Sequence, residues 1–135
     1  MAFAKAEDLY KVFQLTLDRM MKDEKLVASL GAGDMVTCLK VHNIDGLITL
    51  ELKGSVKCTF GPCDIKPDCT TINDDDIFNK FWQGKLNLMM AMTKGQVKSQ
   101  GAITKMLKLL SKITPIYKMY IESLKEAGRE DLVIK

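Results

Sequence analysis

"MVTCLKVHNIDGLITLEL", residues 35 to 52, decides the fold. Met35, Thr37, Leu39 and Val41 alternate there with Val36, Cys38, Lys40 and His42, which is the period of a strand that turns one face to a core. Asp45-Gly46 is a hairpin signal, because both residue types tolerate the left-handed backbone of a tight turn. Beyond it Ile48, Leu50 and Leu52 share one face while Thr49, Glu51 and Lys53 share the other. Gly54 marks a further turn, and Val56, Cys58 and Phe60 repeat the alternation in a third strand. "GPCDIKP" reads as a loop and "DCTTI", residues 68 to 72, as a fourth strand. The pattern predicts a meander with one apolar face that other elements must cover.

Helical segments flank this region. From about Glu7 to Leu30, Leu9, Phe13, Leu17 and Met20 fall on one face, and Leu26, Val27 and Leu30 continue it after the polar "KDEK". That interruption leaves open whether the helix is one piece or two. "GAG" at 31 to 33 stops it. "NDDD" at 73 to 76 reads as a helix start, where Asn73 or Asp74 caps free amides and the acids suit the positive end of the dipole. Ile77, Phe78, Phe81 and Trp82 form the stripe that follows, and Gly84 ends it. "NLMMAM" is short and helical or irregular, "GQVKSQG" is strand-like, and residues 102 to 113 are helix with Ile103, Met106, Leu107 and Leu110 on one side. Pro115 opens a last helix bearing Ile116, Tyr117, Tyr120, Ile121 and Leu124. Leu109 and Met119 fall off their helix faces and are expected at the surface.

A chain of 135 residues without long linkers or repeats is read as one domain, residues 1–135, long enough to bury a core without metal or disulfide. No run is apolar enough to span a bilayer, and the first residues lack an export signal, so a cytoplasmic protein is expected. Residues 1 to 76 carry 9 basic and 13 acidic side chains, whereas residues 77 to 121 hold eight lysines and no acid. Such a block is either a solvated face or a surface for an anionic neighbour: phospholipid, a phosphate-bearing ligand or nucleic acid. Nucleic acid is disfavoured, since no arginine and few aromatics interleave with these lysines.

Chemistry is hard to find in the residues. His42 is the sole histidine, and a lone imidazole in a strand pattern is more often a strand residue than a catalyst. Asp74, Asp75 and Asp76 have a sufficient role at a helix start. Cys38, Cys58, Cys63 and Cys69 are separated by 20, 5 and 6 positions. That spacing fits neither zinc patterns nor a disulfide framework and suits cysteine used as a small apolar residue in a reducing compartment. No catalytic residue, metal or cofactor is assigned. The apolar features carry more. Phe78, Phe81, Trp82, Met89, Met90, Met92, Val97, Ile103, Met106 and Leu110 follow one another closely, and methionine fills irregular or yielding surfaces. Whether they pack a core or line a binding wall, composition leaves open.

"DCTTINDDDIFNKFWQGKLNLMMAM" followed by "GQVKSQG" resembles the sterol carrier protein 2 family of nonspecific lipid-transfer domains. The resemblance rests on Asp68, Cys69 and Thr70, then Asp75, Phe78, Phe81 and Trp82, then Gly84, Lys85, Leu86 and Asn87, and finally Ala91, Met92, Gly95, Val97, Lys98 and Gly101. Leu88, Gln96 and Ser99 depart from the family pattern, and the peroxisomal tail of eukaryotic members is missing. The resemblance implies an α+β fold: a mainly antiparallel five-stranded sheet with helices over one face, enclosing an apolar tunnel. It places the family core at about 34–113, with an extra C-terminal helix at about 115–127. It implies non-catalytic binding and transfer of a lipid, whether sterol, fatty acid, acyl-CoA or phospholipid. Phe78, Phe81, Trp82, Leu86, Met89, Met90, Met92, Val97, Ile103, Met106 and Leu110 would line the tunnel, with the methionines as a wall that yields. Lys85, Lys94, Lys98 and Lys105 would meet headgroups or an anionic membrane surface in transient contact. Two rivals stand beside this expectation: an accessory module that docks a partner enzyme through the same apolar face, and an enzyme using His42 or the aspartates.

Overall fold

The alternation at 35 to 52 becomes two antiparallel strands, β1 (Met35–Val41) and β2 (Gly46–Leu52), in register from Met35 opposite Leu52 to Val41 opposite Gly46. In the computed structural model, which describes residues 1–135, the turn between them is longer than an Asp-Gly pair. A 3-10 turn at His42–Ile44 comes first. Asp45 then takes the left-handed conformation with φ 51, and Gly46 is already paired in β2. β3 (Lys57–Phe60) adds antiparallel to β2.

There the expected meander stops. β4 (Cys69–Asn73) returns to the far side of β1 and runs parallel to it, so that the sheet order is β3-β2-β1-β4-β5. Alternation fixes which face of a strand is apolar but not which neighbour it takes. Asp68 makes the choice here: its amide donates to the Val36 carbonyl and its carboxylate accepts from the Val36 amide, both at 2.8 Å. β5 (Lys98–Gly101) closes the other edge, antiparallel to β4. Every neighbouring pair except β1–β4 is antiparallel, as the mainly antiparallel reading requires.

The N-terminal helix divides at the polar segment. α1 (Ala6–Met20) ends there, and α2 (Glu24–Gly31) starts on Asp23, whose carboxylate accepts from the Leu26 amide. α3 (Asp75–Trp82) is capped by Asp74, which accepts from the Ile77 amide at 2.8 Å. α4 (Leu88–Thr93), α5 (Ile103–Leu109) and α6 (Thr114–Glu126) follow. α6 matches the predicted terminal helix, with Pro115 in its first turn, where the missing N–H costs nothing. The helices that carry the core pack over the face presenting Met35, Val41, Ile48, Leu50 and Leu52.

α1 lies along α6, with Leu9, Phe13 and Leu17 of one and Tyr120 and Leu124 of the other buried in a single core. Each such side chain contributes about 1.5–3 kcal/mol by leaving water. Arg19 of α1 also meets Glu126 at 2.8 Å and Glu122 at 3.6 Å. These pairs are half in solvent and contribute at most about 1 kcal/mol, so the apolar seam decides the packing. The last residues are tied down by amides: Asn79 of α3 and Gln83 just after it both donate to the Leu132 carbonyl, and Gln83 Oε1 accepts from the Ile134 amide. Tyr120 completes the knot by donating its hydroxyl to Asn79 Oδ1 at 2.9 Å.

Candidate functional site

The inner face of the sheet is not filled by the helices. Leu39 and Thr37 of β1, Leu50 and Leu52 of β2, and Thr71 and Asn73 of β4 stand under an apolar cavity of about 90 Å³. Phe13, Met20 and Leu30 come over it from α1 and α2, Ile77, Phe78, Phe81 and Trp82 from α3, and Leu88 from α4. Leu86 and Val97 lie on either side of α4, and Met106, Leu109, Leu110, Ile113 and Ile116 close the far end. Only the two threonines and Asn73 interrupt an otherwise hydrophobic lining. Side chains of both α3 and α5 line the space. An aromatic cluster stands at its α3 side: Trp82 meets Phe13 of α1 edge-on with ring centroids 5.3 Å apart, and its neighbour Phe81 at 5.1 Å and 90°. Such edge-to-face contacts hold rings at fixed angles rather than letting them collapse together.

The residues named from sequence divide. Phe78, Phe81, Trp82, Leu86, Val97, Met106 and Leu110 are brought together around the cavity. Met89 and Met90 are not: they are 57% and 54% exposed. α4 is a six-residue helix, so only positions three or four apart can face inward together. Those positions are taken by Leu88, Ala91 and the half-buried Met92, which pack with Ile77 and Val97. Met92 therefore backs the wall without lining the cavity. Ile103 opens α5 at 36% exposure and points away. Leu109, expected at the surface, is instead buried and lines the cavity, because it lies three positions after Met106 in α5 and shares its inward face. The contributions of α1, α2 and the sheet were missed as site residues. The alternation at 35 to 52 already set Thr37, Leu39, Leu50 and Leu52 on one face, but nothing local says that Phe13, Met20 and Leu30 reach the same space.

Two glycines of the segment from 84 to 101 have structural work. At Gly84, with φ 72, a Cβ would sit 2.7 Å from the Tyr117 ring. At Gly101, with φ 92, it would sit 2.1 Å from the Asp68 carbonyl oxygen. They serve turns and close approach, whereas Gly95 has open space where a Cβ would stand.

The polar candidates lie elsewhere. His42 is exposed in the 3-10 turn. Asp75 is buried, with its carboxylate accepting from the Phe3 amide and from Asn43 Nδ2, each at 2.8 Å. Burial pushes its carboxyl up, but those two hydrogen bonds and the ammonium of Met1 outweigh burial and hold it below the usual aspartate value. Asp75 thus staples the start of α3 to the first residues and to the β1–β2 turn. Burial pushes the Cys58 thiol up to about 12 and raises those of Cys38 and Cys69, which leaves them as unreactive apolar side chains. No group of three or more His, Cys, Asp or Glu side chains converges in the structure, and no helix is long and apolar enough to cross a membrane.

Of the four lysines expected at a mouth, Lys85, Lys94 and Lys98 are exposed and do not line the cavity themselves, though Lys85 and Lys98 adjoin the lining residues Leu86 and Val97 in the chain. Lys98 pairs with Ile72, between the inward Thr71 and Asn73, and so projects from the opposite face of the sheet. Lys105 does converge with others: with Lys108 and Lys112 it lines a polar hollow against Ala32, Gly33 and Leu109.

The profile of the family described as the SCP-2 sterol transfer family matches residues 13–113. The chain is similar in structure to the sterol carrier protein domain 2 of Helicoverpa armigera, at 24% identity and a TM-score of 0.65 over 82% of this chain and 89% of that one. It is similar also to the apo form of sterol carrier protein 2 from Yarrowia lipolytica, at 20% identity and a TM-score of 0.53 over 67% and 86%. A further likeness is to the inverting sec-alkylsulfatase Pisa1 of Pseudomonas sp., at 24% identity and a TM-score of 0.55 over 65% of this chain. This chain spans only 13% of that enzyme's length. At these identities the likenesses are of fold. No curated protein matches the chain in sequence.

Proposed function

Since the chain belongs to the SCP-2 sterol transfer family, a family of lipid-binding and lipid-transfer domains, we propose that it takes up one lipid in the cavity between sheet and helices and carries it without chemistry of its own. The observation that supports this reading is the lining: 18 of 21 residues around the cavity are hydrophobic, so water has few partners there and an apolar chain has many. Held empty, about 90 Å³ costs the fold about 2 kcal/mol in lost contacts. A tail that enters restores those contacts and gains about 0.8 kcal/mol for each methylene removed from water. Fatty acids, acyl-CoA, phospholipids and sterols all offer such surface. The lysines at 85, 94 and 98 would bring the protein to anionic membranes in transient contact.

The test is native mass spectrometry on protein purified without detergent, with solvent extraction of whatever is released, followed by titration against the Trp82 emission. One lipid per chain and a Trp82 response are the expected result. A clean apo mass, with no binding of added fatty acid, acyl-CoA, phospholipid or sterol, overturns the carrier reading.

A second reading follows from Met89 and Met90, whose exposure on α4 leaves two flexible apolar side chains at the surface, a composition suited to adaptable contact with another protein. In that reading the domain docks an enzyme through α4, and replacing both methionines by serine removes the association while leaving lipid binding unchanged.

A further inference from the structure

We infer that the hollow at Lys105, Lys108 and Lys112 is a phosphate subsite, and that it reads the headgroup of a lipid whose tail occupies the apolar cavity. The inference rests on the carrier reading above and adds a headgroup class to it. The three lysines recur at three and four positions along α5 and the turn after it, so their side chains share one face and line a hollow of about 230 Å³. That is room for a phosphate with its solvent or for a phosphodiester. No acid pairs with any of the three. Their protein partners are two carbonyls: Lys112 Nζ donates to Ser29 O at 3.1 Å and Lys105 Nζ to Asp34 O at 3.4 Å. An ammonium carries three donors, so most of this donor set has no protein acceptor, and like charges this close on one helix face repel. A dianion relieves both conditions at once. Lysine is suited to phosphate as a concentrated point charge.

Lys112 and Lys105 have structural roles as well, holding the carbonyls at the end of α2 and just after it. Lys108 has no side-chain partner, and so has no structural role that competes with ligand binding. The link to the lipid cavity is Leu109, which lines both spaces. It is backed by Gly33, where even a Cβ would come within 3.1 Å of Leu109 Cδ2. The two spaces thus lie on either side of the Leu109 side chain, and a lipid with its tail in one and its headgroup in the other would pass beside it. A headgroup without negative charge gains nothing at that end.

The experiment compares two lipids with the same acyl chain, a lysophosphatidic acid and a monoacylglycerol, each titrated below its micellar concentration against Trp82 emission, in wild-type protein and Lys108→Gln. The proposal expects the phosphate-headed lipid to bind wild type about tenfold or more tightly than the neutral one, an advantage that shrinks with added salt. Lys108→Gln should lose most of that advantage while leaving the neutral lipid's affinity and the melting temperature unchanged. Equal affinities for the two lipids, or an advantage that survives Lys108→Gln, overturn the subsite and leave the carrier reading standing. Binding of neither lipid overturns both. Inorganic phosphate, followed by NMR at the Gly33 and Lys108 amides, separates the two sources of the anion. Saturation at millimolar phosphate or tighter, with or without lipid present, would mean a free-anion site and overturn headgroup reading. Weak or absent binding of phosphate alone supports it.

Discussion

At Gly101 the chain leaves β5 with φ 92, and a Cβ there would press to 2.1 Å from the Asp68 carbonyl oxygen. The oxygen cannot retreat, because Asp68 O accepts from the Ala102 amide at 2.8 Å while the Asp68 amide is tied to Val36. Gly101→Ala is therefore expected to cost 2 kcal/mol or more, roughly the scale of a strained backbone plus a steric clash, seen as a lowered urea midpoint with an unchanged slope. Gly95, with open space around the same position, should tolerate alanine better, losing only what its positive φ demands. At Asp75 the prediction concerns pH. Burial opposes its charge, but hydrogen bonds from Phe3 and Asn43 hold the folded pKa below the ordinary 3.8. Stabilisation from this group is thus fully present above that value and lost as pH falls through the lower folded one. Urea unfolding of Asp75→Asn should show a deficit at pH 7 that narrows below about pH 4; a deficit unchanged down to pH 2 would rule out the charge as its source. The helix-start role of "NDDD" was legible in the residues. Asp74 is the cap, one of the two candidates named there; that Asp75 staples the chain's first residues was not legible, because Phe3 lies 72 positions away.

Among the elements, α4 departs furthest from its sequence reading. Its three methionines suggested a wall, yet a helix this short turns only Leu88, Ala91 and part of Met92 inward. Replacing Met89 and Met90 together by serine should change stability by less than about 0.5 kcal/mol, as exposed sites do. Leu88→Ala, beside the cavity, should cost about 2 kcal/mol. Chemical denaturation of the two variants checks the contrast, and equal losses would mean that α4 packs otherwise. α6 is the opposite case. Its buried residues Ile116, Tyr120 and Leu124 were readable from spacing alone, since long amphipathic helices announce their buried face.

For the whole molecule, the cavity poses the decisive trade. An unfilled apolar space lowers stability, so filling it from the wall should stabilise the fold while excluding cargo. Leu39→Phe, from the floor of the cavity, is expected to raise the melting temperature by a few degrees, the equivalent of about 1 kcal/mol. The same change should weaken lipid binding about tenfold or more. Titration of Trp82 emission together with a thermal melt reads both; unchanged affinity in a stable variant would place the lipid elsewhere.

The sequence by itself determined the elements and their faces: alternation at 35 to 60 made strands with one apolar side, and spacing in α1, α3 and α6 made helices with one apolar stripe. It determined the family as well, through the ordered residues from Asp68 to Gly101. Those are local properties, written in neighbours a few positions apart. Only the tertiary structure decided that β4 runs parallel to β1, that α1 and α2 help to roof the cavity, that Leu109 faces in and Met89 out, and that three lysines converge beyond it. These depend on which element meets which across many tens of residues. Periodicity carries no record of that, because any apolar face satisfies any other until shape, chain reach and the clamp at Asp68 select among them.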